Sequence, residues 1–364
     1  MTRPKLLSGD VREVLKGLES ESVQCVVTSP PYWGLRDYGS KGQLGLEETP
    51  EEYVGNMVDV FREVKRVLRK DGTVWLNLGD GFLDKQLVGM PWRVALALQA
   101  DGWWLRSDII WSKPNPMPEP VKDRLTKSHE YVFLLTKSAK YYYDHEAIKE
   151  PYSESSIERI NQVTFDSQTG GDKDYGKVSV HPNNTNSIRG TLEKFKENLG
   201  GGRNKRTVWE IVTRSYPGAH FATFPEEIPE ICIKAGTSEG GSCLECGTPY
   251  NRLIEEGEKV SSEDYKGQGK KDYASAKAEN PSDVKRRTLE SMREVIYKGW
   301  KPGCNCEGVN TPCLVLDPFV GSGTTCAVAS RLGRESIGID LNEEYLKLAR
   351  KRCKVESESI FNYV

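Results

Sequence analysis

Leu314-Val315-Leu316-Asp317-Pro318-Phe319-Val320-Gly321-Ser322-Gly323-Thr324-Thr325 decides how the rest of the chain is read. A short apolar run suited to a buried strand stops at an acid. A glycine-rich turn follows, then small residues suited to a helix (Cys326-Ala327-Val328-Ala329-Ser330). Strand, glycine turn and helix together aim free backbone N–H groups at the anionic end of a ligand. Gly321 and Gly323 accept positive φ and carry no Cβ, so a ligand can come close to the backbone. No Gly-Lys-Ser/Thr follows, which excludes a phosphate-binding P-loop. A second strand, Ser336-Ile337-Gly338-Ile339-Asp340, ends in another acid about twenty residues beyond the glycines, where nucleotide-binding folds read ribose hydroxyls. The glycines alone would fit an ordinary corner; acids at two successive strand ends favour a binding site.

The N-terminal half supplies the other strands of such a sheet. Lys5-Leu6-Leu7 with Ser8-Gly9-Asp10 reads as a short strand ending in an acid, followed by a brief helix over 11–18. Val23-Gln24-Cys25-Val26-Val27-Thr28 has the β-branched content of a buried strand. It runs into Ser29-Pro30-Pro31-Tyr32-Trp33-Gly34, where adjacent prolines fix φ and remove N–H donors. The strand must end there, leaving the Ser29 and Pro30 carbonyls free to accept from elsewhere, beside the rings of Tyr32 and Trp33. Standing alone, the stretch would be a stiff strand exit with surface aromatics. Thr49-Pro50-Glu51-Glu52 opens a helix that Lys70-Asp71-Gly72 stops. Strands follow at 73–78, 103–111 and 129–136, with a helix from Pro91 to Gly102. This alternation predicts an α/β fold with a largely parallel sheet.

With 364 residues, 37% of them hydrophobic and 29% charged, the chain has room for two domains or one decorated domain. No apolar run is long enough to span a bilayer, and Met1-Thr2-Arg3-Pro4-Lys5 has no signal-peptide core, so a cytoplasmic protein is expected. The nine cysteines are then reduced thiols or metal ligands, not a disulfide framework. A net charge of −2 leaves any polyanion-binding surface local.

One candidate lies between Asn183 and Tyr216. Arg189, Lys194, Lys196, Arg203, Lys205, Arg206 and Arg214 outnumber Glu193, Glu197 and Glu210, with Trp209 and Tyr216 interleaved. That mixture suits a partly unstacked polyanion, though a solvated insertion has the same composition. Cys243-x2-Cys246 and Cys304-x-Cys306 bracket a hydrophilic segment, a pattern expected of a tetrahedral structural zinc site, with Cys313 as a spare ligand. Cys25, Cys232, Cys326 and Cys353 are read as packing residues.

Taken together, these motifs resemble the β-group amino-methyltransferases of DNA, which methylate exocyclic amines with S-adenosylmethionine. Asp317 to Thr325 is similar to that family's cofactor motif, and Ser29-Pro30-Pro31-Tyr32 to its catalytic motif, whose first position is Asp, Asn or Ser. The resemblance covers most of the chain, and the motif order implies a circularly permuted, Rossmann-like methyltransferase sheet with an irregular target-recognition insertion; the small zinc-binding segment, read from the cysteine spacing, is not part of the family's minimal pattern. It implies a catalytic half at 1–149, a target-recognition insertion at 150–219 and a helix completing the cofactor pocket at 220–240. A cysteine-bracketed insertion at 241–310 and a cofactor-binding half at 311–364 follow. The last helix, 343–352, would lie against the strand at 5–7, bringing the termini close.

The chemistry points the same way. An aromatic exocyclic amine is a poor nucleophile because its lone pair is delocalised into the ring. Acceptors that hold both amine hydrogens favour a pyramidal nitrogen, and Ser29 and the Pro30 carbonyl, stiffened by Pro31, suit that task. Tyr32 would stack on a base that has left the duplex. Attack on a sulfonium methyl needs in-line placement more than acid–base power. Asn77 and Asp80 at the neighbouring strand end are candidate catalytic support, or a pair that caps the loop. The resemblance assigns Asp340 to the ribose hydroxyls, Asp10 to the adenine amine and Asp317 to the ammonium. Pro318, Phe319, Gly321, Gly323 and Thr324 would hold the methionine portion, with Phe224 packed beneath. Arg189, Arg203, Lys205, Arg206 and Arg214 would contact double-stranded DNA. Serine at the motif's first position is commoner among cytosine-N4 enzymes, so cytosine N4 is the expected target and adenine N6 the alternative. A protein glutamine methyltransferase and a catalytically silent, zinc-stabilised DNA-binding protein are the remaining readings. A cognate restriction endonuclease, as in type II restriction–modification, is an expected partner.

Overall fold

Strands that divide their apolar residues between two faces need helices on both sides. A computed structural model describes residues 2–151, 202–213, 224–256 and 295–355. Its strands are β1 (Lys5–Ser8), β2 (Val23–Thr28), β3 (Leu68–Leu78), β4 (Phe82–Leu83), β5 (Gln86–Leu87), β6 (Trp104–Ser112) and β7 (His129–Thr136). They continue as β8 (Val208–Glu210), β9 (Ser242–Cys243), β10 (Asn251–Glu256), β11 (Val295–Lys301), β12 (Asn310–Thr311), β13 (Leu314–Asp317) and β14 (Glu335–Asp340). The α-helices are α1 (Val11–Val14), α2 (Pro50–Val67), α3 (Met90–Ala100), α4 (Glu227–Gly236), α5 (Thr324–Arg331) and α6 (Glu343–Arg352).

The chain divides into two compact units, one of residues 1–148, 206–251 and 301–364, the other of 149–205 and 252–300. In the first, an eight-stranded sheet has the order β1-β14-β13-β2-β3-β7-β6-β8. Every strand from β1 to β3 in that order is parallel to its neighbour. β7 is antiparallel to β3 and β6, and β8 joins β6 in parallel. In the second unit β10 pairs with β11, and Glu150 bridges Arg203. Among the described residues no helix is long and apolar enough to cross a membrane.

Period-two alternation sorts the core. Val26, Val74, Leu76, Phe133 and Leu316 face one way, onto Tyr53, Met57, Phe61 and Val64 of α2 and Val94 and Leu98 of α3. Val27, Trp75, Val132, Leu134 and Val315 face the other, onto Ile228, Cys232 and Ile233 of α4 and Val328 and Ala329 of α5. Each large side chain buried this way stabilises the fold by about 2 kcal/mol.

Two boundaries differ from the sequence expectation. α2 begins as expected, with Thr49 and Glu52 forming a reciprocal capping box ahead of Pro50. It stops at Val67, because Leu68 pairs with Val23 and the next residues join β3 through a bulge before Cys25 meets Thr73. Strand pairing overrides the helix propensity of Arg69 and Lys70. The helix after Asp10 is one turn of α followed by a tight turn over Leu15–Gly17.

Candidate active site

β2 and β13 lie side by side, with Cys25 opposite Val315 and Val26 opposite Leu316. From β13 the chain crosses through α5 to β14 on one side; from β2 it crosses through α2 to β3 on the other. Adjacent parallel strands whose connections diverge open a crevice at their carboxyl ends. Both sequence motifs leave the sheet at that crevice. Thr28 Oγ1 donates to Asp317 Oδ1 at 2.7 Å, and Thr325 Oγ1 donates to the Val27 carbonyl at 3.2 Å. The two corners are fastened to each other directly.

On the β2 side, Pro30 is buried while Ser29, Pro31 and Tyr32 are half-buried. The buried Tyr53 hydroxyl donates to the Pro31 carbonyl at 2.8 Å, fixing the exit. Among the described residues no backbone N–H outside the helices and strands donates to the Ser29 or Pro30 carbonyl. Ser29 Oγ donates to Tyr32 Oη at 3.2 Å; Tyr32 Oη lies 2.7 Å from Glu130 Oε2 and 3.1 Å from Asn77 Oδ1. Lys113 Nζ pairs with the other Glu130 oxygen at 2.5 Å. Burial, then the Glu130 charge, pushes the Tyr32 phenol well up. Gly79 lets the ring lie against the end of β3, since a Cβ there would sit 2.5 Å from Tyr32 Cε2.

Of the two supporting residues expected here, Asn77 joins the site and Asp80 does not. Asn77 Nδ2 donates to the Tyr131 carbonyl at 3.0 Å, holding the amide oxygen towards Tyr32. Asp80 Oδ1 accepts from Gly81 N at 2.9 Å and Met90 N at 3.0 Å, the loop-capping role. Its carbonyl accepts from Lys127.

On the β13 side, part of the turn's N–H set is committed within the protein. Phe319 N donates to Asp317 Oδ1 at 3.1 Å, Val320 N to the Ile339 carbonyl at 2.9 Å and Gly321 N to Asp340 Oδ2 at 2.9 Å. Gly323 N bonds the Val320 carbonyl at 2.8 Å. These four donors stiffen the turn and are not free for a ligand, whereas no backbone acceptor is seen among the described residues for the Ser322, Thr324 and Thr325 N–H groups at the start of α5. Gly323 has φ +83°, and a Cβ on it would lie 2.9 Å from Ala349 of α6. Pro318 is buried and Phe319 half-buried. Thr324 is buried, and its hydroxyl accepts from Arg352 Nη1 at 2.7 Å; Arg352 also pairs with Glu226 at 2.8 Å. Thr324 therefore braces the turn from behind. Half-buried Phe224 packs on the core face that holds Val27 and Val328.

Asp317 and Asp340 end their strands as expected, whereas β1 stops at Ser8 and Asp10, two residues on, caps α1; the three acids lie in different electrostatic settings. Asp317 is 1% exposed, and burial pushes its carboxyl up to about 6 against the opposing bonds from Thr28 Oγ1 and Phe319 N. Burial also raises Asp340, whose oxygens accept from Gly321 N and from Asn342 N at 2.8 Å. Asp10 sits beside it, with Ser8 opposite Asp340 and Gly9 N bonded to the Asp340 carbonyl at 3.0 Å. Its carboxylate caps α1 and takes the Arg12 guanidinium at 2.5–3.2 Å, which holds its carboxyl below the usual range.

The four expected metal ligands converge. The Sγ atoms of Cys243, Cys246, Cys304 and Cys306 all lie within 4.8 Å of one another. A tetrahedral Zn–S distance of about 2.3 Å needs sulfurs about 3.8 Å apart, so closure on a metal requires only a small contraction. Arg69 Nη1 donates to the Cys246 carbonyl at 2.7 Å, tying this loop to β3. Cys313 is buried and donates to the Ser238 carbonyl at 3.7 Å, outside the cluster. Cys25, Cys232 and Cys326 are fully buried, as packing residues should be.

Arg189 and Arg214 lie outside the described residues, as does most of the 150–219 insertion. Arg203 and Lys205 both pair with Glu150 at 3.4 Å, so Glu150 already offsets part of their charge. The Arg206 carbonyl accepts from Trp209 Nε1 at 2.8 Å.

Glu130, Lys113 and Arg352 were not singled out from the sequence. The available signal for the first was an acid at the start of an apolar strand, His129-Glu130-Tyr131-Val132-Phe133.

Residues 23–246 and 307–351 match the family model described as DNA methylase. The chain is 36% identical over 377 residues to the type II methyltransferase M.SmaI of Serratia marcescens, spanning 96% of this chain and 90% of that one. It is 34% identical over 382 residues to M.SfiI of Streptomyces fimbriatus, spanning 94% and 89%. Its fold is similar to that of the PvuII DNA methyltransferase (cytosine-N4-specific), with a TM-score of 0.56 and 18% identity over 99% of this chain and 89% of that one. The chain belongs to the DNA methylase family and is an amino-methyltransferase of the type II restriction–modification class.

Proposed function

We propose that the chain methylates DNA at a specific site, moving a methyl group from S-adenosylmethionine to N4 of a cytosine turned out of the duplex. The observation that carries this reading is the meeting of the Ser29–Tyr32 exit and the 318–323 turn at one crevice, fastened by the Thr28–Asp317 bond of 2.7 Å. S-adenosylmethionine supplies an electrophilic methyl group on a sulfonium. The residues present suit it. A carboxylate offers about four lone-pair sites, so Asp340 keeps capacity for ribose hydroxyls after bonding Gly321 and Asn342. Asp317 is the acid beside the turn for the ammonium, with Phe319, Gly321 and Phe224 shaping the space around the methionine portion. Asp10, committed to Arg12, reaches the adenine amine only through its remaining lone pairs.

On the other wall, the Ser29 hydroxyl and the Pro30 carbonyl accept the amine hydrogens and Tyr32 offers its ring to the base. Ser29 in place of an acid favours cytosine N4; adenine N6 is the second reading.

The strand order suits a circularly permuted sheet: the catalytic half, 1–149, precedes the cofactor half, 311–364, yet β1 pairs with β14. Residues 150–219 would read the DNA, and helix α4 in 220–240 would close the cofactor pocket. Within 241–310 a structural zinc would join the cysteine pairs, chosen for its affinity for four thiolates. A restriction endonuclease reading the same site would be the biological partner. Incubation with labelled S-adenosylmethionine and duplex DNA tests the reading: label belongs in the DNA. Label in protein alone would mean glutamine methylation, and no transfer would mean a silent DNA-binding protein.

A further inference from the structure

Ser29 poses a difficulty for that reading, on which this inference rests. A hydroxyl is a weaker acceptor than a carboxylate, and its own proton can point at the amine it is meant to receive. Strand β7 holds a remedy. Leu78 of β3 stands opposite Tyr131 of β7, and Trp111 of β6 opposite Glu130, which brings the Glu130 carboxylate to the Tyr32 hydroxyl. A phenol has one proton to give. Glu130 at 2.7 Å takes it in a charge-assisted bond. Asn77 Oδ1 at 3.1 Å competes for that proton and loses on both charge and distance. The Tyr32 oxygen is then an acceptor only, and Ser29 Oγ, 3.2 Å away, must donate to it. The Ser29 proton is drawn away from the base, and its lone pairs are left to face the amine.

We propose that Glu130 is a positioning residue for methyl transfer: through Tyr32 it sets the direction of the Ser29 hydroxyl and receives, by relay, the proton that the amine loses. As the N–CH3 bond forms, the S–CH3 bond breaks and its electron pair stays on sulfur. The alkylated amine passes one proton to Ser29 Oγ, Ser29 passes its own to Tyr32, and Tyr32 passes its own to Glu130. Both hydroxyls end as they began, and the carboxylate ends neutral. Lys113, held 4.5 Å from the Trp111 ring, bonds the far Glu130 oxygen at 2.5 Å and keeps the near one turned to Tyr32.

Glu130→Gln removes the charged acceptor at the end of this chain of bonds. Beside the Lys113 ammonium the amide turns its oxygen to the lysine and its NH2 to Tyr32. Tyr32 then gives its proton to Asn77 Oδ1 at 3.1 Å, and the relay from Ser29 has no carboxylate to end on. In the full chain, with duplex DNA and S-adenosylmethionine, kcat should fall about a hundredfold, with the KM for DNA and the cofactor Kd unchanged. Tyr32→Phe keeps the ring and cuts the chain of bonds, so it should lose a comparable factor. Adding Glu130→Gln to Tyr32→Phe should then cost nothing more. Wild-type kcat in Glu130→Gln, or losses that multiply in the double variant, would overturn the proposal. Should Glu130→Gln fail to fold, seen as lost cofactor binding, Tyr32→Phe decides, and full activity there overturns it. Wild-type transfer measured alongside separates these results from a failure of the methyltransferase reading itself.

Discussion

Thr28 and Asp317, 289 positions apart in sequence, share a hydrogen bond of 2.7 Å between side chains that are each 1% exposed. The bond crosses the line where the sheet's connections diverge, so it holds the two walls of the crevice in register. It also leaves a carboxyl group in the protein interior, with a measurable consequence.

That consequence is a pH dependence. Burial raises Asp317 from 3.8 to about 6 in the folded chain. A raised folded pKa contributes stability that is full below the unfolded value and lost as pH rises through the folded one. Asp317→Asn removes the titration. Its unfolding free energy, relative to wild type, should climb by up to about 3 kcal/mol between pH 4 and pH 7. Denaturant melts across that window check it; a flat difference would mean that Asp317 ionises freely.

Pro30→Ala should abolish methyl transfer while cofactor binding is largely retained, because the stiffness of the exit aims the carbonyl acceptors. Tyr32→Ala should behave alike through loss of the ring and its tie to Ser29. Calorimetric cofactor titration beside a rate assay separates the two effects. Unchanged rates in either variant would move the active site elsewhere.

Asp340→Ala should weaken cofactor affinity at least about tenfold, since a hydrogen bond to a charged group contributes about 1.5–3 kcal/mol. It also strands Gly321 N, whose acceptor Asp340 is at 2.9 Å. An unaltered cofactor Kd would remove Asp340 from the pocket.

Elemental analysis of protein purified without chelator should find close to one zinc per chain. Cys243→Ser with Cys246→Ser should release it and lower the melting temperature, as loss of a structural metal does. Absence of metal from the wild-type protein would retire the site.

Much of this was legible in the sequence because it is local. Strand, glycine corner and terminal acid fall within 314–325, the double proline within 29–32, and the cysteine pairs lie at fixed spacing. What escaped depends on register between distant strands. Glu130 gains meaning only when antiparallel β7 brings it beside Tyr32, and nothing near residue 130 announces that neighbour. The end of α2 escaped for the same reason: Arg69 and Lys70 suit a helix, and only the pairing of Leu68 with Val23 makes them strand. The N–H groups of Val320 and Gly321 looked available because their acceptors, Ile339 and Asp340, come from a neighbouring strand that the turn read alone does not show.

One measurement bears most directly on the shared crevice: DNA methylated by the purified chain with labelled S-adenosylmethionine, digested to nucleosides and separated. Label should elute with N4-methyl-2′-deoxycytidine. Label in N6-methyl-2′-deoxyadenosine would contradict the choice of base, and DNA without label would contradict the joining of a cofactor wall and a base wall in one site.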